Sequence, residues 1–302
     1  MYNGIKLSNQ KNYLYKDYQT ELAYRDKNKS LYTGIKSIDE RLTIRDGVIM
    51  LGGNPSTGKS SLWLQFIDTF AEQGQPVLFF SLEQVQCDLT AKSINRIQHK
   101  YGLSEQDAIE KYSLFADKIT MATSESTVTI ESLSQIVKDV VETADIKPIV
   151  FIDYLQLLHS QKSLSKREEI EDVSHQLVAL SKKYGLTIFV ISSLNRTNYL
   201  SPIDFESFKE SGSLEYDADV VLGLQYKIVS EQSFVNCSSV DKKRLLIANE
   251  KTKPIRSVEL TCIKNRFGPI FESCPMDYYA DKDLFVDATE NENHRKKSTK
   301  IL

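Results

Sequence analysis

Short, unbroken apolar runs punctuate the chain: Val48-Ile49-Met50-Leu51, Val77-Leu78-Phe79-Phe80, Ile149-Val150-Phe151-Ile152, Thr187-Ile188-Phe189-Val190-Ile191 and Val220-Val221-Leu222-Gly223-Leu224. Runs without polar alternation predict strands buried on both faces. Between them the period changes. Ile170, Val173, Leu177 and Leu180 recur at helical spacing within Arg167 to Tyr184, and Leu62, Leu64, Phe66 and Phe70 mark a helix from Gly58 to about Ala71. Strand and helix in alternation predict an α/β fold with a mostly parallel sheet, helices on both faces, and ligands beyond the carboxyl ends of the strands. From about Tyr226 the pattern predicts C-terminal β-hairpins, with strands at 244–247 and 258–263 and a turn at Asn265 to Pro269.

The two ends read differently. Residues 1–30 are polar and rich in Tyr, Lys and Asn, with a candidate helix over Asn12 to Arg25 but no apolar face wide enough to fold alone. They are expected to be a linker or oligomerisation segment. Residues 289–302 have no apolar period and predict a disordered tail, which leaves one main domain over 31–288.

Composition narrows the class. A hydrophobic share of 41% in 302 residues supplies the core of one large domain. No run approaches the roughly 18 apolar residues of a membrane span, and the opening MYNGIKLSNQKNYLYKDY lacks the apolar centre of a signal peptide. A cytoplasmic protein is expected. Cys87, Cys237, Cys262 and Cys274 are scattered without a C-x-x-C or a nearby histidine pair, so reduced, structural thiols are expected. The net charge of −3 argues against a protein coated in nucleic acid, yet allows a narrow basic channel.

Candidate chemistry begins directly after the first apolar run. GGNPSTGKSS, Gly52 to Ser61, fits G-x-x-x-x-G-K-[ST] from Gly53 to Ser60. In that pattern the loop Gly53, Asn54, Pro55, Ser56, Thr57, Gly58, Lys59, Ser60 and Ser61 wraps phosphates at a helix N-terminus, every residue but Pro55 having a backbone N–H to offer. Lys59 adds a point charge, and Ser60 an oxygen for Mg²⁺. Asp153 ends the run IVFID, where a carboxylate can hold the metal's hydration shell. Glu83 follows VLFFSL at the matching end of another strand, placed to orient or deprotonate an attacking water. These residues together predict binding and hydrolysis of a nucleoside triphosphate with Mg²⁺.

SLEQ, IDYLQLL, REEIEDVSHQLVALSKKYGLTIFVISSLNR, ESGSLEYDADVVL and KNRFGP stand in one order along the chain. With the glycine loop, they resemble the RecA-like motor domain of the DnaB family of replicative DNA helicases, over about Leu31 to Val286. The resemblance implies a RecA-like P-loop fold and a homo-oligomeric, hexameric ring that hydrolyses ATP and moves along single-stranded DNA, in company with a loader or primase. It also implies that Glu83 is the catalytic carboxylate, and that Lys264 and Arg266 reach the triphosphate of a neighbouring subunit. Contacts to DNA would come from Asn198 to Gly212, with Lys209, from Arg196, and from Lys162 and Lys166 after His159.

Two departures from the family pattern stand out. Ser193 occupies the position where the family usually carries a glutamine that relays γ-phosphate occupancy to the DNA loops, which implies looser coupling. The family's helical collar has no counterpart in these residues, so residues 1–30 are expected to match at most its linker helix. A RecA-like ATPase that serves as recombination mediator, helicase loader or nucleotide switch without unwinding is the alternative reading. The basic stretch Asp241 to Arg266 reads equally as a solvated hairpin.

Overall fold

A computed structural model describes residues 31–123, 127–162, 165–195, 199–211 and 217–288, with the side chains of 209–211 left out. The expected linker segment 1–30 and tail 289–302 lie outside these residues.

The described chain opens with a helical turn, Lys36–Asp39, whose first amides donate to the carboxylate of Asp287, some 250 positions away. Strand β1 (Gly47–Gly53) is buried along its whole length and feeds α1 (Lys59–Glu72). Then come β2 (Val77–Ser81), α2 (Gln86–Tyr101), α3 (Glu105–Ser113), β3 (Ile119–Thr123), β4 (Val128–Thr129) and α4 (Ile130–Thr143). These are followed by β5 (Ile149–Asp153), β6 (Leu158–His159), α5 (Lys166–Tyr184), β7 (Thr187–Ser192) and β8 (Val220–Tyr226). The last part holds α6 (Val240–Thr252), β9 (Ile255–Asn265), β10 (Phe271–Tyr279) and β11 (Leu284–Asp287).

The main sheet runs β11-β10-β9-β8-β1-β7-β5-β2-β3, while β4 and β6 pair separately. From β3 through β8 the pairing is parallel; β9, β10 and β11 add antiparallel to the β8 edge. β1 therefore lies inside the sheet, and the loop after it opens at the carboxyl ends of the parallel strands, where helix N-termini gather.

Both faces of the sheet are covered, which explains the unbroken apolar runs. Ile49 and Leu51 of β1 face α1 and the aromatic cluster of Trp63, Phe66, Phe70, Phe151 and Phe189. Phe151 and Phe189, from neighbouring strands, stack with ring centroids 4.6 Å apart, and Trp63 meets Phe189 edge-on at 5.2 Å. Val48 and Met50, one residue out of phase, face Ile130, Leu133 and Val137 of α4 and Val173 and Leu177 of α5.

α1 is buried on all sides from Ser61 to Ala71. Its polar flank is covered because Asp68 pairs with Arg96 of α2 and Gln65 holds both main-chain groups of Phe285. α5 begins one residue before its expected start, at a capping box of Ser165 and Glu168, and ends at Gly185, whose φ of 60° stops it.

One expectation fails. Residues 244–247 are not a strand but the middle of α6, capped by the Ser239 hydroxyl. Of that run Ile247 is buried and Leu246 packs partly against the core, whereas Leu245 stays 61% exposed. A three-residue apolar run cannot by its period distinguish strand from helix, and its Lys, Arg, Ala and Glu neighbours favour helix. The hairpins are instead β9–β10, closed by the predicted turn from Asn265 to Pro269, and β10–β11.

Candidate active site: a phosphate-binding cleft

Gly58 ends the loop after β1 with φ 96°, a left-handed conformation that a side chain would strain. A Cβ there would also lie 2.7 Å from the Phe285 ring. Glycine thus lets α1 start abruptly, with its first N–H groups facing out of the loop. Ser56 also sits at positive φ, 68°. Its carbonyl accepts from the Tyr226 hydroxyl at 2.9 Å and from Arg256 Nη1 at 3.0 Å, so β8 and β9 brace the loop from behind.

Within the loop each side chain has a distinct task. Thr57 is fully buried and donates to the Asn54 carbonyl at 2.8 Å, while Asn54 Nδ2 donates to the Tyr199 carbonyl at 3.0 Å. Both shape the backbone. The Ser61 hydroxyl is committed to Asp283 at 2.7 Å, which leaves this residue only its amide to offer a phosphate. Lys59 folds back, Nζ donating to the carbonyls of Gly53 at 2.9 Å and Asn54 at 3.1 Å. An ammonium resting on carbonyls is placed to turn outward when stronger anionic acceptors arrive.

Lys59, Ser60, Glu83 and Asp153 line one cleft of about 500 Å³ at the ends of β1, β2 and β5. Burial lowers the Lys59 pKa to about 8 against the opposing pull of the Asp153 and Glu83 charges. Burial raises the Asp153 carboxyl; hydrogen bonding from Ser60 and the charges of Lys59 and Lys92 work against that rise, and Glu83 adds to it. The Ser60–Asp153 contact puts a hydroxyl beside a carboxylate, a hard-oxygen pair suited to Mg²⁺. Among the described residues no cluster of His, Cys, Asp and Glu could hold a metal by itself. Such an ion would need phosphate and water oxygens to complete its shell, as Mg²⁺ in nucleotide sites does.

A larger cleft, about 700 Å³, lies on the other side of the loop between Pro55, Tyr199 and α6. Its lining has no carboxylate among the described residues, so the candidate phosphate- and metal-handling side chains all line the smaller one.

Sequence reasoning missed three residues here. Lys92, from α2, lines the cleft and donates to Gln84 at 2.6 Å. Arg256 and Tyr278 close the opposite wall. Nothing local marks them, since each arrives through tertiary packing. Ser193 does line the cleft, and its amide donates to Gln156 Oε1 at 3.2 Å, while Gln156 Nε2 reaches Ser192 at 3.1 Å. A glutamine from the segment after β5 thus bridges to the position where the family pattern expects one.

The remaining expected site residues lie elsewhere. Arg266 follows β9, and its amide donates to the Asp219 carbonyl at 2.9 Å; Asp219 in turn bonds to Val48. It is therefore level with Val48, five residues down the strand from Gly53, or roughly 16 Å from its own phosphate loop. Lys264 pairs with Val221 in the same end of the sheet. Lys162 is ion-paired with Asp172, and Lys166 with Glu169 at 3.1 Å, each with a half-exposed head. Lys209 falls on the 3-10 turn Phe205–Ser211, and Arg196 lies outside the described residues.

The sheet order, the glycine loop leading into α1 and the carboxylates at neighbouring strand ends define a RecA-like P-loop ATPase fold. Likeness to known proteins carries the assignment further. A family model, the DnaB-like helicase C terminal domain, matches residues 30–285, and the chain belongs to that family. It is 28% identical over 242 residues to the replicative DNA helicase DnaB of Mycoplasma genitalium, covering 74% of this chain and 48% of that protein. It is 27% identical over 277 residues to a probable plasmid replicative DNA helicase of Chlamydia muridarum, covering 83% of this chain and 54% of that protein. The chain thus spans about half the length of the curated relatives it matches.

Among solved structures, one described as an ATPase domain superposes with a TM-score of 0.72 at 19% identity, covering 93% of this chain and 99% of that one. A DnaB-like replicative helicase studied with primase gives 0.70 at 17% identity, covering 90% and 68%. At such identities these two establish the fold. No helix among the described residues is long and apolar enough to cross a membrane.

Proposed function

We propose that this chain is the motor of a DnaB-type replicative helicase or translocase that hydrolyses ATP and moves on single-stranded DNA as a hexameric ring. The observation that carries the reading is the convergence of Lys59, Ser60, Glu83 and Asp153 on one cleft in a member of this family. The α1 N-terminus and Lys59 would hold the phosphates, and Ser60 and Asp153 the hydrated Mg²⁺. Bound there, Mg²⁺ supplies charge neutralisation on the phosphate oxygens. Glu83 orients a water for attack on the γ-phosphorus and takes its proton as the bond to the bridging oxygen breaks, releasing ADP and phosphate.

Arg266 and Lys264 serve a neighbour's cleft, because they stand at the wrong end of the sheet for their own. An arginine supplied in this way is worth about 10³- to 10⁵-fold in rate. DNA would lie against Arg196, Lys209, Lys162 and Lys166, with an affinity that falls as salt rises. A loader or a primase is the expected protein partner.

The test mixes two inactive variants, Lys59→Ala and Arg266→Ala. A shared site predicts recovered hydrolysis, because some interfaces pair an intact Lys59 with an intact Arg266; no recovery defeats the ring reading. A mediator or switch without unwinding is the rival that Ser193 favours. Strand displacement on a forked duplex decides between them.

A further inference from the structure

Asp219 is the residue before β8, and both of its carboxylate oxygens are engaged. Oδ2 accepts from the Val48 amide at 3.0 Å and Oδ1 accepts from Arg266 Nη1 at 2.9 Å. Its main chain joins the same two neighbours, the amide donating to Val48 and the carbonyl accepting from the Arg266 amide, each at 2.9 Å. The Asp219 side chain is 15% exposed, whereas the arginine side chain it holds is 49% exposed. Room for it comes from Gly47, where a Cβ would stand 2.6 Å from Oδ2 and 3.0 Å from the Phe267 ring.

The turn that carries Arg266 is also fixed. Asn265 Nδ2 donates to the Pro269 carbonyl at 2.9 Å, and Asn265 Oδ1 accepts the Phe267 amide at 3.0 Å. With the backbone stapled, the soft degrees of freedom are the side-chain torsions of Arg266, and Asp219 restrains those.

We infer that Asp219 is a positioning residue for catalysis in the neighbouring subunit: it aims the Arg266 guanidinium outward from the sheet end so that it enters the next cleft in one orientation. The inference rests on the trans-acting role proposed above for Arg266. An arginine left to its own rotamers would lose that orientation on each encounter, and misplacement by about 1 Å is enough to cost about 10²-fold in rate. Asparagine cannot replace Asp219, because both partners are donors and an amide offers one acceptor oxygen.

The test is Asp219→Asn in the full chain, assayed for ATP turnover and in mixed rings. A fall in kcat of about 10²-fold is expected, with KM for ATP nearly unchanged, since the altered group belongs to the neighbour's site. Mixing Asp219→Asn with Lys59→Ala should restore hydrolysis, and mixing it with Arg266→Ala should not. If Asp219 only anchors β1, and through it its own phosphate loop, the pattern reverses and the inference falls.

An increase in kcat would also overturn it, by making Asp219 a restraint on the arginine and not its guide. Asp219→Glu keeps the charge and shifts it by one methylene; it should lose turnover without losing melting temperature, and wild-type turnover in either variant refutes the proposal. Failure of the Lys59→Ala and Arg266→Ala pair to complement would instead remove the shared site itself.

Discussion

The pKa of Lys59 makes nucleotide affinity depend on pH in a window where few other groups titrate. In the nucleotide-free cleft, burial lowers that pKa to about 8. A triphosphate replaces the Gly53 and Asn54 carbonyls with anionic partners, which raises the pKa in the complex. Between the two values, binding must take up a proton. If the bound ammonium stays charged throughout, the apparent Kd scales as 1 + 10^(pH − 8), about 1.1 at pH 7 and about 11 at pH 9 with the free pKa near 8. The weakening is about tenfold, or about 1.4 kcal/mol.

Calorimetric titration with a non-hydrolysable ATP analogue and Mg²⁺, in two buffers of different ionisation enthalpy, measures both affinity and proton uptake. Lys59→Ala should bind weakly at every pH and take up no proton through this window. Flat affinity from pH 7 to 9 in the wild type, or binding without proton uptake at pH 9, would refute the argument. Stability follows the opposite sense. The folded ammonium sheds its proton before the unfolded chain does, so the stability lost to this burial is greatest below about 8, and the apo protein gains stability as pH rises from there toward the ordinary lysine value of 10.5.

Glu83→Gln should keep nucleotide affinity and slow single-turnover hydrolysis by orders of magnitude, because the cradle survives and the proton acceptor does not; equal loss of both would make Glu83 structural. Asp68→Ala leaves the Arg96 guanidinium buried without its carboxylate, at 2% exposure. A loss of about 3–5 kcal/mol is expected by denaturant unfolding, and a cost below about 1 kcal/mol would show that the pair contributes little. Ser193→Gln should raise the stimulation of ATPase by single-stranded DNA with little change in the DNA-free rate; an unchanged ratio would place the relay elsewhere, with Gln156 the nearest candidate.

The parallel half of the sheet was legible because burial on both faces leaves a contiguous apolar trace, and the phosphate loop because its spacing is local. β10 was not: FESCPMDYY alternates imperfectly and contains Pro275 inside the strand. α6 was misread for the opposite reason, its small apolar run suiting either structure. The site divided along the same line. Lys59, Ser60, Glu83 and Asp153 each lie at the end of a readable run, whereas the Arg256–Ser56 bond joins positions 200 apart and the Asp219–Arg266 pair positions 47 apart. Those contacts depend on strand register across the sheet, which a single sequence does not display.

β9 runs from Ile255 to Asn265; Arg256 near its start braces its own phosphate loop, and just past its end stands Arg266, the arginine proposed to serve a neighbour. Nine extended residues separate the two arginines, a span of roughly 33 Å. In the proposed ring, no isolated protomer can bring its two halves of a site together, however it flexes. Fuel is then burned only by assembled machines. Dilution would act as an off switch, with turnover per chain falling steeply below the assembly concentration, and newly made protomers would spend no ATP before they meet DNA in company.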